Sequence, residues 1–148
     1  MIQMKLINFT FDSSIELGCD GKHRYVDLHN CYDWQGFSYF SEERRIEMSW
    51  IRSNEPWVHE DLPGSLVLEF RDVSSLATRP RDSELPYTED SCLASVTFTP
   101  PEYASNFDSE FPDYRDESEH LTFCFQSDFG LKIWASEVEL LLFSEPNS

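Results

Sequence analysis

The stretch HLTFCFQSDFGLKIWASEVELLLF, which runs from His120 to Phe143, decides the fold because it predicts three β-strands in succession. Leu121, Phe123 and Phe125 alternate with smaller or more polar residues, and this period of two turns one face of a strand toward a core. A turn signal and two further alternating runs follow within the same stretch. We therefore expect a C-terminal meander over residues 120–143, with the rest of the chain packed on it.

Clean alternation recurs upstream of the meander at Arg45–Ile51, Ser65–Arg71 and Cys92–Phe98. A strand is also expected over Gln3–Phe11, and the dipeptide Asp20-Gly21 favours a hairpin turn farther along the chain. Together with the meander, these segments predict a mostly β chain of roughly eight short strands. The expected architecture is an antiparallel sandwich or barrel.

Two segments are less regular than these strands. Asn30–Phe40 is aromatic and is broken by Gly36, so it reads as a bulged strand or as a loop folded on the core. The segment Asp72–Asp90 carries two prolines and is long for a loop, which predicts a short helix near Val73–Ala77. We expect at most one or two short helices in the whole chain.

The length of 148 residues fits a single β domain over residues 1–148. No apolar run approaches the roughly 20 residues needed to cross a bilayer. The N-terminus has no cleavage pattern of a signal peptide, which indicates a cytoplasmic protein. The four cysteines form no Cys-x-x-Cys pair, so we expect them to be reduced thiols.

The net charge of −17 is the most unusual property of the sequence. Nucleic-acid binding requires a basic face for phosphate contacts, and anionic membranes attract basic segments, so the charge argues against both partners. Long-range attraction instead favours a basic protein partner. Excess acid also keeps a β-rich protein soluble, which is the simpler interpretation of the same charge.

Candidate metal and catalytic residues are few. His23, His29 and Cys31 lie close in the sequence but lack the paired spacing of a structural zinc site. The acidic window Asp108–Glu119 matches a calcium-binding loop at its first and last positions, yet Asp113 stands where such a loop needs glycine. No motif places a serine or cysteine nucleophile beside a base. The sequence therefore predicts no catalytic residue, no metal and no cofactor.

The segment 101–119 combines acidic residues with aromatic ones. Aromatic side chains anchor protein interfaces, whereas charges guide the approach of a partner. Two interpretations follow: a loop pinned to its own domain by Phe107 and Phe111, or a contact for a basic protein. The residues predicted to bind this partner are Asp108, Glu110, Phe111, Asp113, Tyr114, Asp116 and Glu117.

The run Leu66-Val67-Leu68-Glu69-Phe70 leads into Asp72-Val73, and a closing strand pair covers Leu121–Ala135. In these features the chain resembles uncharacterised bacterial domains, some of which are similar to the immunity proteins of polymorphic toxin systems. The resemblance implies a protein that neutralises a toxin by binding it, often by covering a basic active site with acidic residues. It implies no catalytic residue.

The leading hypothesis is thus a non-enzymatic binding protein for a basic partner, with toxin immunity as its most specific form. One alternative is a small-ligand-binding β protein with an aromatic pocket lined by Trp34, Tyr39, Trp50 and Trp57. Another is a structural or assembly subunit that pairs through an exposed strand edge.

Overall fold

The alternating segments form strands throughout the computed structural model, which describes residues 4–19, 24–99 and 120–144. The one helical element in this part of the chain is a 3-10 helix, Tyr87–Ser91, so the described residues contain no helix long enough to span a membrane. The predicted mostly β fold is confirmed. The strands are β1 (Lys5–Ile7), β2 (Phe9–Phe11), β3 (Glu16–Cys19), β4 (Arg24–Asp27), β5 (Tyr32–Phe40), β6 (Arg45–Arg52), β7 (Ser65–Arg71), β8 (Ser75–Arg79), β9 (Leu93–Thr99), β10 (His120–Phe125), β11 (Gly130–Trp134) and β12 (Glu137–Phe143).

The strands form three sheets. The five-stranded sheet has the order β1-β12-β7-β6-β5, and the four-stranded sheet has the order β8-β11-β10-β9. Strands β2, β3 and β4 form a third, smaller sheet. Every pairing is antiparallel except that of β1 with β12. The two larger sheets face each other as a sandwich, which is one of the two architectures that the alternation predicted.

The core lies between the two larger sheets and is rich in aromatic rings. Phe123 of β10 is fully buried, and its ring centroid lies 6.3 Å from that of Trp50 and 6.2 Å from that of Phe70. The third sheet joins this core through Phe11, whose ring meets Phe98 edge to face at 5.7 Å. Burying such rings supplies much of the free energy that stabilises a β-sandwich.

The predicted first strand, Gln3–Phe11, is two strands in the structure. Asn8 adopts a positive φ of 71°, which breaks the extended chain between β1 and β2. Asparagine tolerates this left-handed conformation better than most residues, so the chain can turn from one sheet into another here. Such divisions explain why the described residues contain more strands than the eight or so that alternation predicts.

The helix predicted near Val73–Ala77 is wrong, because residues Ser75–Arg79 form the edge strand β8. Strand β8 pairs antiparallel with β11, with Ala77 opposite Lys132. Its side chains are mostly half-buried, and they lack the apolar alternation that marks a strand packed on one side. Pairing with a neighbouring strand, which is a tertiary interaction, therefore decides its conformation.

The predicted C-terminal meander is correct for its first two strands and wrong for its third. Strands β10 and β11 pair as a hairpin in the four-stranded sheet, whereas β12 crosses to the five-stranded sheet and lies between β1 and β7. The crossing occurs at Ser136, whose N–H donates to the C=O of Arg71 at 3.1 Å. The crossing places β12 next to β7, where both strands contribute residues to the outer face of the five-stranded sheet.

Candidate functional site

The five-stranded sheet has an inner face in the core and an outer face that points away from it. Along β6, β7 and β12 the outward-pointing residues are the odd-numbered ones, since their even-numbered neighbours are mostly buried. The outer face divides into two ends of different chemistry. The charged end consists of Glu43, Arg45, Glu47, Glu69, Arg71, Glu137 and Glu139. The apolar end consists of Ile51, Val67, Leu141 and Phe143.

At the charged end the two arginines are enclosed by glutamates. Arg71 pairs with Glu139, with Glu137 at 3.0 Å and with Glu69 at 2.8 Å. The hydrogen bonds that Arg71 donates to these three carboxylates, the one to Glu139 above all, raise the pKa of Arg71. Arg45 pairs in the same way with the other two glutamates of this end. The charged end therefore satisfies most of its own polar groups, as a structural network does.

At the apolar end the sheet presents aliphatic and aromatic side chains outward. Leu141 lies opposite Val67, and Phe143 lies opposite Ser65, whose other neighbour is Ile51. The side chain of Phe143 is 41% exposed. Uncovered apolar side chains that lie together on one surface are typical of a contact site.

A surface groove of about 310 Å³ adjoins the apolar end. It lies next to a bulge in β5, where the register with β6 shifts between Trp34 and Gly36. Gly36 has a φ of 114°, and a Cβ placed there would meet no other atom within 4 Å. The bulge therefore bends the edge of the sheet away at this point. The groove is lined in part by Gln35, Ser49, Ile51, Ser65 and Val67.

The loop of residues 53–64, which joins β6 to β7, projects from the apolar end of the sheet. Its most prominent side chain is Trp57, which is 69% exposed. Glu55, Glu60 and Asp61, together with Arg52 and His59, line a second groove of about 530 Å³ within the same loop. An exposed tryptophan among carboxylates gives this loop both an apolar anchor and a negative field.

The loop 53–64 is held in place from its inner side. The Arg52 guanidinium donates from Nη1 to the C=O of Glu60 at 2.9 Å and to the C=O of Leu62 at 2.7 Å. The buried Tyr32 hydroxyl donates to the C=O of Pro63 at 2.6 Å. Val58 is buried, although its neighbour in the chain, Trp57, is not. The loop thus presents its tryptophan from a fixed backbone.

The residues predicted to bind a basic partner lie outside the described residues. The wider prediction, that the segment from Tyr103 to Glu119 contacts this partner, therefore stays a prediction. The residues concerned are Asp108, Glu110, Phe111, Asp113, Tyr114, Asp116 and Glu117.

The four aromatic residues predicted to line a ligand pocket do not converge on one. Trp50 is buried in the core, and its cross-strand partner Trp34 stacks on Phe125 with ring centroids 4.1 Å apart. Tyr39 and Trp57 are exposed; Tyr39 lies in β5 opposite Ile46, near the turn that joins β5 to β6, whereas Trp57 lies beyond the other end of this pair. The structure therefore uses two of these residues for packing and separates the other two.

His29 and Cys92 form the closest approach of a histidine to a thiol, with 3.5 Å between Nδ1 and Sγ, among the contacts of the described residues. The same Nδ1 lies 2.6 Å from the C=O of Leu93. A carbonyl only accepts hydrogen bonds, so this nitrogen carries a proton and cannot take one from the thiol. Burial, followed by the charges of Glu89 and Asp33, raises the pKa of Cys92. The pair therefore has the opposite properties to an activated nucleophile.

Metal chemistry has equally little support in the part of the chain that the structure describes. No three histidine, cysteine or acidic side chains converge there in a way that fits a metal ion. Of the residues considered from the sequence, His29 and Cys31 are described, whereas His23 is not. His29 instead uses its ring to bind a backbone carbonyl.

Sequence reasoning missed the loop 53–64 as a candidate site. The prediction of a partner contact relied on acidic residues interleaved with aromatic ones, and this pattern is longest in residues 101–119. The run Glu55-Pro56-Trp57-Val58-His59-Glu60-Asp61 carries the same signal in a shorter form. The signal was therefore present, but nothing in it indicates that Trp57 is exposed.

No protein-family model, no curated protein and no solved structure matches this chain. The function must therefore be argued from the surface of the molecule itself.

Proposed function

We propose that the protein is a non-enzymatic binding protein whose partner is a basic protein. The observation that carries this proposal is the exposure of Trp57 on a fixed acidic loop beside the apolar end. Tryptophan is the residue most enriched among those that dominate binding energy at interfaces. A side chain of this size stays in water at a cost, so its exposure on a well-anchored loop supports a contact role.

The anchoring of the loop supports a rigid contact. Arg52 and Tyr32 fix the backbone of residues 60–63 before any partner arrives. Binding to a loop that is already ordered avoids the conformational entropy that a flexible loop loses. The loop 53–64 therefore meets two conditions of an interface hot spot, which are a large exposed aromatic side chain and preorganisation.

The charge of the protein supports a basic partner. The net charge of −17 attracts cationic proteins over long distances and repels nucleic acids and anionic membranes. Glu55, Glu60 and Asp61 carry negative charge on the same loop as Trp57. Charges in such positions speed association and select the partner, whereas the aromatic anchor supplies affinity.

The most specific form of the proposal is an immunity protein that neutralises a basic toxin in the cytoplasm, as the resemblance implies. All four cysteines are thiols, which fits a reducing compartment. The segment 101–119 is proposed as a further contact for the same partner, as its acidic and aromatic residues predict. If a toxin gene lies next to the gene for this protein, co-expression of the two should restore growth that the toxin alone stops.

The experiment is affinity capture from a lysate of the source organism with matched variants of the full chain. Wild-type protein is compared with Trp57→Ala and with Tyr87→Ala at low and at high salt. Tyr87 is the control because it is 80% exposed and belongs to the 3-10 helix, outside the loop 53–64. We expect a basic protein that binds the wild type and Tyr87→Ala, and that Trp57→Ala loses.

The salt series separates the two parts of the proposal. Steering by exposed charges weakens as ionic strength rises, since the Debye length falls to about 8 Å at physiological salt. Capture should therefore be strongest at low salt and should persist, at a reduced level, at high salt because of the aromatic anchor. Retention of an acidic protein, or equal capture by all three forms, would contradict the proposal.

A further inference from the structure

One edge of the five-stranded sheet is open next to the apolar end. Strand β1 pairs with β12 only where Lys5–Ile7 lies opposite Glu137–Glu139. At Asn8 the chain turns away, with a φ of 71°, and enters the three-stranded sheet. Among the residues that the structure describes, no strand pairs with β12 on this side from Leu140 to Phe143.

The backbone of β12 directs hydrogen-bonding groups toward this open edge. The N–H of Lys5 donates to the C=O of Ser136 at 3.0 Å, so the even-numbered residues of β12 turn their backbone groups toward the β1 side. By the same alternation, the N–H and C=O of Leu142 point to the open edge, with the C=O of Leu140 beside them. Leu142 as a whole residue is 41% exposed.

The two edges of this sheet differ in how they are protected. Proteins guard exposed edges with bulges, charged side chains or proline, because an unguarded edge pairs with other chains. The β5 edge carries the bulge at Gly36, whereas residues 140–143 of β12 read Leu-Leu-Leu-Phe without charge or proline. The unguarded edge is thus the one beside the apolar end and the loop 53–64.

We infer that the partner binds by adding an extended segment to β12 along Leu140–Phe143, in the position that β1 leaves after Ile7. This inference rests on the proposed function and specifies how the same surface is used. Backbone hydrogen bonds to Leu142 hold the added strand, and its outward side chains lie beside Leu141 and Phe143. The side chains of the added strand thereby continue the apolar surface beyond β12.

The charge of the surroundings selects a basic segment as the occupant. A second copy of this chain would bring another charge of −17 to the same edge, and repulsion opposes that pairing. Lysine or arginine side chains alternating along the partner's strand are instead attracted by the negative charge of this protein. The occupant is therefore an extended segment of a basic protein, in which apolar and cationic residues alternate.

The probe for a direct test is a peptide of about nine residues, a usual strand length, in which valine and lysine alternate. Two control peptides have glutamate in place of lysine or proline at the centre. Amide hydrogen exchange of the full-length protein is followed by NMR. We expect the basic peptide to slow exchange of the Leu142 amide about tenfold at saturation. The Leu141 amide, which already faces β7, should change little, and neither control peptide should protect Leu142.

Two variants separate backbone pairing from side-chain contact. Leu142→Pro removes the N–H that faces the edge, and a strand tolerates proline where its N–H points outward. Leu142→Ala removes most of the side chain and keeps the N–H. We expect the peptide to bind Leu142→Pro at least about tenfold more weakly than wild type, and Leu142→Ala within about threefold of it. Melting curves of both variants establish that they are folded.

The outcomes also separate this inference from the proposed function. Failure of the peptide to protect Leu142, or equal binding by the two variants, would overturn the added strand. The basic partner would still stand if Trp57→Ala lost it while Leu142→Pro kept it. Self-association that depends on concentration and that Leu142→Pro abolishes would make a second copy the occupant and overturn the inference in favour of a dimer.

Discussion

The charged end and the apolar end lie on the same three strands, but their side chains differ: those of the charged end pair with one another, whereas those of the apolar end lack such partners among the described residues of the outer face. At the charged end Arg71 is surrounded by three glutamates, and β1 covers the neighbouring part of β12. At the apolar end Phe143 is partly exposed, β1 has turned away, and the loop 53–64 holds Trp57 in water. The contrast teaches that a cluster of charges is a poor guide to a binding site when its members satisfy one another. Uncovered apolar groups on a fixed backbone are a better guide.

The largest expected effect on stability tests whether the charged end and the apolar end depend on the same hydrophobic core. Phe123→Ala should lower the free energy of unfolding by about 3–5 kcal/mol, because it empties a buried ring position between the two sheets. Denaturant unfolding measures this change. A variant that unfolds at the wild-type midpoint would show that the sheets do not depend on this contact.

The next effect concerns binding at the apolar end. Trp57→Ala should weaken partner binding by about 2 kcal/mol, or about 30-fold, as loss of a hot-spot tryptophan does. Its free energy of unfolding should stay within about 0.5 kcal/mol of wild type, since the side chain is mostly in water. Titration calorimetry and thermal unfolding give the two values. A large loss of stability would mean that Trp57 belongs to the core of the loop.

The charged end should show the reverse behaviour. Arg71→Met leaves Glu69, Glu137 and Glu139 without their shared cation, and we expect a loss of about 1 kcal/mol in the free energy of unfolding. The loss should shrink at high salt, which screens repulsion between the glutamates. Partner affinity should be nearly unchanged. If Arg71→Met instead abolished binding, the charged end would be part of the interface.

An effect on binding smaller than that of Trp57→Ala is expected at the open edge. Phe143→Thr should change the free energy of unfolding by about 0.5 kcal/mol, because the ring is partly exposed at the end of β12. It should weaken partner binding by about 1 kcal/mol, or about fivefold. The two variants should therefore differ: Arg71→Met loses mainly stability, and Phe143→Thr loses mainly affinity. Equal behaviour of the two variants would remove the distinction between the ends.

Alternation predicted the strands that the core requires. Strands β6 and β7 bury every second residue, so Ile46, Met48 and Trp50 mark the inner face in the sequence itself. The prediction was wrong where neighbours decide the conformation. Strand β8 became an edge strand through its pairing with β11, and Asn8 divided the first strand by turning between sheets. Local sequence carries little of that information.

The candidate site was harder to predict than the fold. Acidic and aromatic residues alternate in several places, and the sequence does not distinguish a ring that packs from one that stays exposed. Trp50 and Trp57 differ by seven positions, yet the first is buried and the second is in water. The open edge of β12 is equally hidden, since it depends on where β1 ends. Adding Asp113→Asn and Tyr114→Ala to the capture experiment would test the prediction for residues 108–117.

The anchors of the loop 53–64 have a consequence for how this surface can change. Arg52 and Tyr32 donate hydrogen bonds to main-chain carbonyls of the loop. The shape of the loop is therefore largely independent of which residues occupy its outward positions. Substitutions at residues 55, 57, 60 and 61 can accumulate without loss of the fold, much as the hypervariable loops of an antibody vary on a constant framework. A library randomised at these four positions should consequently yield folded proteins with new partners. If the partner changes during evolution, we expect the compensating substitutions at the same four positions.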